Sequence, residues 1–334
     1  KAVPGKTADT EILGTQMMLR SVIDYEVAAR ASSGGKRAFR RALDIVVENM
    51  FASTRKRMEI DYFYGQRSLF EFASSAEAVA ETSSLCTSTE RGWAPGIWAG
   101  MEGAKIDVGQ DNSNEQTGMK AGIWHATDVE VTEVDLAART ILVADGADNP
   151  VAQVQDNADA TVSDWVVWHG AFGTLASASS HADASVFRGM ESIMDATQDG
   201  STSLFNLPVA GNSLWQGNVK QCVSQASDGA DWATTAPLKF EDIATQIAVA
   251  SAKGLDENLV LYLNPLVWTD LIVAEQANVK WHNPTGKTLD LGNDDVRFHT
   301  ANGVVNIKPS NYVKIGLGFM FAPKLWKRIG ATDL

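Results

Sequence analysis

The residues of this chain that could do chemistry are scattered, and their spacing fails one template after another. Gly286-Lys287-Thr288 ends like a phosphate loop, whose backbone amides cradle phosphates only if a glycine stands five residues before the glycine next to the lysine. That position is Trp281. Gly5-Lys6-Thr7 has no upstream glycine at all. Gly316-Leu317-Gly318 lacks the third glycine of a dinucleotide loop and lies too near the C-terminus to open a dinucleotide-binding unit. Ser179-Ser180-His181-Ala182-Asp183 collects the residue types of a hydrolase triad, yet sequence neighbours rarely converge in space and no G-x-S-x-G elbow occurs. The histidines, at positions 125, 169, 181, 282 and 299, form no i, i+4 ligand pair. The acids from Asp107 to Glu115 lack the glycine and terminal glutamate spacing of a calcium loop. Cys86 and Cys222 are far apart, without a second Cys or His at ligand spacing, so neither a disulfide framework nor a zinc site is expected. The expectation is a chain with no catalytic residues, cofactor or metal, a non-enzyme that fits a reducing cytoplasm.

Composition narrows the class further. The chain has 334 residues, 45% of them hydrophobic, enough for two or three cores. No run approaches the roughly 20 apolar residues of a membrane span, and the first residues lack the apolar core of a signal peptide. A net charge of -13 argues against a general nucleic-acid binder, which needs a basic face. The charge is unevenly placed. Residues 1–67 carry twelve Lys/Arg against eight Asp/Glu, whereas residues 93–200 carry four against seventeen. Such a division either leaves two solvated faces of opposite sign or makes copies of the chain complementary to one another. Ten tryptophans add either core and interface anchors or, if exposed in a row, a stacking surface for sugars.

The elements that must position these residues can be read in order. Residues 1–33 read as an extended arm, with 16–25 strand-like, ending in the Ser32-Ser33-Gly34-Gly35 hinge, where Ser33 can cap the next helix. From there Phe39, Leu43, Val46, Val47, Met50, Thr54 and Met58 fall at steps of three and four, the stripe of an amphipathic helix over 35–64. At 1.5 Å per residue this rod is about 40 Å long. Lys36 and Arg37 sit in its first turn, where the helix dipole disfavours cations by some tenths of a kcal/mol, about 0.3–1 each. Residues 68–92 are Ser/Ala/Glu-rich and read as a connector. Strand-like runs at 104–108, 128–132, 140–143 and 164–168 suggest a small, solvent-facing acidic barrel or sandwich over 93–172. After a loop-rich stretch, a helix from Phe240 to a terminating Lys253-Gly254, a buried strand 259–263 and a helix opened by Asn264-Pro265 predict an α/β domain. A hairpin turning at Ala301-Asn302-Gly303 and a buried strand 313–321 close the chain.

This order resembles the major capsid protein of tailed double-stranded DNA bacteriophages. The likeness is carried by the 31–39 stretch into the helix and its end at Asp61-Tyr62-Phe63-Tyr64-Gly65-Gln66. It continues in Trp93-Ala94-Pro95-Gly96-Ile97-Trp98, in Ser213-Leu214-Trp215-Gln216-Gly217-Asn218, and in the end from Pro323 to Gly330. The resemblance implies an α+β, Hong Kong-97-type capsid fold. Residues 1–33 would be the N-terminal arm and part of an extended loop, and 34–92 a peripheral domain on the spine helix. An inserted β-module at 93–172, an axial domain at 173–310 and a closing peripheral strand in 311–334 would complete it. The strand pair of the extended loop is incomplete here, which leaves the arm whole, matured by proteolysis, or truncated.

The function so implied is structural. Copies would assemble in the host cytoplasm as hexamers and pentamers of an icosahedral virion capsid around double-stranded DNA, without sequence specificity. A decoration or cement protein, a portal and a scaffold are possible further partners, and a membrane is not. Lys36, Arg37, Arg40, Arg41, Arg55 and Arg57 are the candidate contacts to acidic residues of neighbouring subunits. Two alternatives stay open: an encapsulin-like compartment of the same fold, and, from another class, a Trp-rich carbohydrate-binding protein.

Overall fold

The computed structural model describes residues 36–70, 72–73, 77–80, 83–111, 119–144, 165–171, 186–194, 203–205, 207–208, 212, 214–220, 238–275, 296–300 and 303–327, with residues 9, 12 and 15. The expected arm and its hinge, the Ser33 cap, the Gly286-Lys287-Thr288 loop and the Ser179 to Asp183 cluster lie outside the described residues. The chain is α+β, with elements from both ends of the sequence sharing one core.

Helix α1 runs from Lys36 to Tyr64, 29 residues, one residue short of the expected start. Neither it nor any other helix among the described residues is long and apolar enough to cross a membrane.

Six antiparallel strands come next: β1 (Glu77–Ala80), β2 (Ser83–Thr87), β3 (Lys105–Asp111), β4 (Met119–Asp135), β5 (Thr140–Ala144) and β6 (Trp165–Trp168). They form one sheet in the order β1-β2-β5-β4-β3-β6. Among the described residues, the expected barrel or sandwich is one open sheet. Its β6 edge is covered by the chain leaving α1, where Leu69 N–H donates to the Val166 carbonyl at 2.8 Å and the Ser68 hydroxyl accepts from Val166 N–H at 3.1 Å. Covering an edge removes the need to close the sheet on itself. The expected connector is also part of this sheet, because β1 and β2 lie within 68–92. Their Ser- and Ala-rich composition gives little strand propensity, and pairing with β5 supplies what propensity lacks.

The acidic module is not a peripheral, solvent-facing unit either. Val129 and Val131 of β4, Ile141 and Val143 of β5, Ile106 and Val108 of β3 and Val166 and Val167 of β6 are all buried. On β4, alternation separates Val129 and Val131 from outward Glu130 and Thr132, and a register shift after Val131 turns Glu133 outward, so acidity and core formation occupy opposite faces of that strand. The short helix α2 (Pro95–Trp98) lays Trp98 beside Trp93, rings stacked 6.2 Å apart, at the centre of this core.

Helix α3 (Met190–Met194) and the small hairpin of β7 (Ser203–Leu204) and β8 (Leu207–Pro208) lead to α4 (Phe240–Ala252). At its C-terminus, Leu255 N–H reaches the Ala250 carbonyl and Gly254 N–H the Ser251 carbonyl, with Gly254 at φ 98°. That Schellman arrangement is the stop expected of Lys253-Gly254. Strand β9 (Leu259–Leu263) is followed by α5 (Pro265–Glu275), capped by the Asn264 side chain on Leu266 N–H at 3.0 Å. The expected hairpin pairs β10 (Val296–Thr300) with β11 (Gly303–Pro309). The second sheet has the order β10-β11-β9-β12, with β11 parallel to β9.

Strand β12 is only Gly318–Phe321, shorter than the expected 313–321. The preceding amides have other acceptors: Lys314 N–H bonds the Tyr64 hydroxyl, Ile315 N–H the Trp93 carbonyl and Gly316 N–H the Arg91 carbonyl. Gly316 is thus a close-packing glycine, its Cα facing Arg91, and not part of a nucleotide loop. β12 pairs antiparallel with β9, and the two strands divide the protein's cores. Phe319 and Tyr262 face the core that holds the end of α1, while Met320, Leu261 and Leu263 face α4 and α5. Period-two alternation lets one thin layer serve both.

A tight backbone crossing lies where α1 ends. Gly189 N–H donates to the Gly65 carbonyl at 2.8 Å, and a Cβ on Gly189 would meet Gly65 N and would lie 2.8 Å from the Asp61 carbonyl. Gly189→Ala should therefore destabilise the fold by about 1–3 kcal/mol, read by urea denaturation. Unchanged stability would show that the crossing has room to spare.

Candidate assembly surface

Helix α1 has two unlike parts. Its last two turns are seated: Ile60, Asp61, Phe63 and Tyr64 are buried. Phe63 packs on Phe319 with ring centroids 5.3 Å apart, and on Tyr262 at 6.0 Å. Each such apolar side chain contributes about 1.5–3 kcal/mol by leaving water.

Polar groups fix the angle of the seat. The Tyr64 hydroxyl accepts from Lys314 N–H at 2.7 Å. The Lys314 ammonium donates to the Ser68 carbonyl at 2.6 Å, lies 4.5 Å from the centre of the Tyr64 ring and 3.8 Å from the Glu191 carboxylate. Burial, then the negative charge of Glu191, push the Tyr64 phenol well above its usual range, against the hydrogen bond from Lys314. One turn earlier, Arg57 Nε donates to Asp61 Oδ2 at 2.9 Å, and the guanidinium stands 4.8 Å over the Trp168 ring. Burial raises the Asp61 carboxyl above its ordinary value, partly offset by the charge and hydrogen bond of Arg57. Burial likewise lowers the Arg57 guanidinium, partly offset by Asp61. For both partners desolvation outweighs pairing, so the pair holds position more than it adds stability.

The earlier turns stand out of the core. Along the expected inward stripe, Val46, Met50, Thr54 and Met58 are half-buried, but Val47 is 40% exposed, and Phe51 beside it is 58% exposed, as is Ile45 at 57%. Val47 is thus a correction to the expected stripe. Of the six candidate contact residues, Lys36, Arg37, Arg40 and Arg41 belong to α1, and their side chains lie outside the described residues. Arg55 is exposed on the projecting part. Arg57 is held within its own chain by Asp61 and Trp168, which leaves it a seat residue and not a free contact.

A second polar cluster joins three strands. Buried Asp107 accepts from His169 Nδ1 at 2.8 Å and from the amides of Asp128 and Gly170 at 2.8 and 3.0 Å. Asp128, at φ 59°, pairs with Lys105 at 2.6 Å, and the hydrogen bond from Lys105 holds its carboxyl below its ordinary value. The geometry ties β3, β4 and the turn after β6 together. Among the described residues no group of three or more His, Cys, Asp or Glu could hold a metal ion.

The tryptophans whose side chains are described, Trp93, Trp98, Trp168, Trp215, Trp268 and Trp326, are all buried or half-buried. They pack cores and offer no row of exposed rings. Neither Lys314 nor the exposed Phe51 is among the residues expected from the sequence. A lysine inside an apolar run is the one signal that could have marked the former.

Arg57→Gln should cost about 3 kcal/mol near pH 7, because it strands the buried Asp61 carboxylate. In the variant the Asp61 carboxyl is raised further above its unfolded value. The folded state then binds the proton more tightly, so stability is present below the unfolded value and lost as pH rises. The deficit against the parent should therefore shrink as pH falls from about 7 to about 4, where the carboxyl protonates. Urea titrations at both ends of that range measure it. A scan against protein-family models and a search of curated proteins both return no match to this chain.

Proposed function

We propose that this chain is a structural subunit of a closed protein shell, the major capsid protein of a tailed double-stranded DNA phage with a Hong Kong-97-type fold. The carrying observation is that the buried anchor of α1 is its last two turns, while the preceding part exposes Ile45, Val47 and Phe51. Most helix stability in proteins comes from packing of an amphipathic face. A projecting rod with uncovered large apolar side chains is suited to a partner, and in a shell that partner is another copy.

Three further features support the reading. The outward face of the β4–β5 sheet is acidic, opposite in sign to the α1 region. A chain of the expected element order closes on itself through β12, which leaves the projecting half of α1 to its neighbours. Shell interfaces of obligate type bury about 2,000–5,000 Å² in total and act through many copies, so no single contact need be tight. Among the described residues the tryptophans pack inside, which gives the sugar-binding alternative no support there.

Negative-stain microscopy of the purified protein tests the proposal. Closed shells are the expected outcome; their content, DNA or cargo protein, separates a phage head from an encapsulin-like compartment. A protein that sediments only as a monomer at every concentration sinks the idea. Arg40→Glu with Arg41→Glu should leave a folded chain that forms no particles, read by circular dichroism and sedimentation together.

A further inference from the structure

Two exposed surfaces of the fold match each other in both charge and apolar content. On α1, Val47 and Phe51 stand one turn apart on the same side, both exposed. The helix stretch 36–55 holds five Lys/Arg against Asp44 and Glu48. At the other surface, β4 and β5 meet in a hairpin whose ends pair Asp135 with Thr140. Its turn is rigid, because the Asp135 carboxylate accepts from the amides of Ala137 and Ala138 at 2.8 and 2.9 Å. Leu136, at the tip, is 44% exposed. Residues 128–138 hold four acids and no base, of which Glu130, Glu133 and Asp135 are exposed.

We infer that the β4–β5 hairpin of one copy docks on the projecting part of α1 of another copy, with Leu136 against Val47 and Phe51 and the hairpin acids against the α1 cations. The inference rests on the shell reading and names one contact within it. Among the described residues neither apolar group is covered by its own chain, and a rigid turn presents Leu136 with little ordering cost on binding. The acids and cations set the register and steer the encounter, while the small apolar contact excludes water at its centre. The contact is heterologous, since a hairpin meets a helix, and such contacts propagate around rings of subunits.

The test mixes two single variants. Chains carrying Phe51→Cys are combined with chains carrying Leu136→Cys, assembled, and mildly oxidised. A disulfide-linked dimer containing one chain of each kind is expected, and its absence from assembled particles overturns the inference while leaving the shell intact. Failure of the parent chain to assemble at all overturns both. A contact made instead by residues 1–33 of the same chain would also give no mixed dimer, and counts against the inference. Charge reversal gives a second readout. Glu130→Lys with Glu133→Lys, which spares the Asp135 turn, should lower particle yield about tenfold or more, since like charges face each other. Adding Arg40→Glu and Arg41→Glu should restore yield, and parent-like yield before the second pair is added overturns the proposal. If the reversed chain does not fold, the cysteine pairing decides.

Discussion

Everything in this molecule depends on how the last two turns of α1 are held. Tyr64 and Phe63 enter a core built from strands far away in sequence, and the Tyr64 hydroxyl takes the amide of Lys314 at 2.7 Å across 250 residues of chain. Beside it the backbone passes Gly189 against Gly65 with no space for a side chain between them. Because the crossing is backbone on backbone, the direction in which α1 leaves the core is set by atoms that cannot repack. Side chains can change rotamer; peptide planes at contact distance cannot.

The seat also explains the layered arrangement above it. Strands β9 and β12 present alternate residues to two cores, so Phe319 and Tyr262 receive α1 while Leu261, Leu263 and Met320 receive α4 and α5. A movement of α1 would therefore be felt in the second core through one shared layer of backbone. The Arg57–Asp61 pair fits this picture. Its desolvation outweighs its attraction, so its effect is to orient the helix over Trp168, and a buried pair of that kind carries specificity more than stability. The proposed shell role places a demand on such rigidity, since errors in the angle of a long rod grow with distance from its anchor.

Charge obeys the same logic of opposite faces. Strand β4 carries Glu130 and Glu133 outward and Val129 and Val131 inward, so an acidic stretch of the chain is also part of its core. A charged outer face and a folding core then share one strand, one on each side. In the proposed assembly, the outward side and the projecting helix would be the matching halves of one contact.

Much of the local structure was legible in the residues themselves. The apolar steps of α1, the Lys253-Gly254 stop, the Asn264-Pro265 start, the apolar run of β9 and the Asn302-Gly303 turn each depend on neighbours within a few positions, and each element formed where those residues place it. What the residues could not settle was decided by partners distant in the chain. β1 and β2 have poor strand composition and exist through pairing with β5. The run from Val313 looks like strand, but three of its amides bond to Tyr64, Trp93 and Arg91 instead. Val47 belongs to an apolar stripe by its spacing, yet the core reaches only the far end of the helix and leaves it in water. Short-range sterics and hydrogen-bond periodicity thus specify elements. Which edge is covered, which amide finds which acceptor and which part of a helix stays bare depend on surfaces that do not exist until the chain has closed on itself.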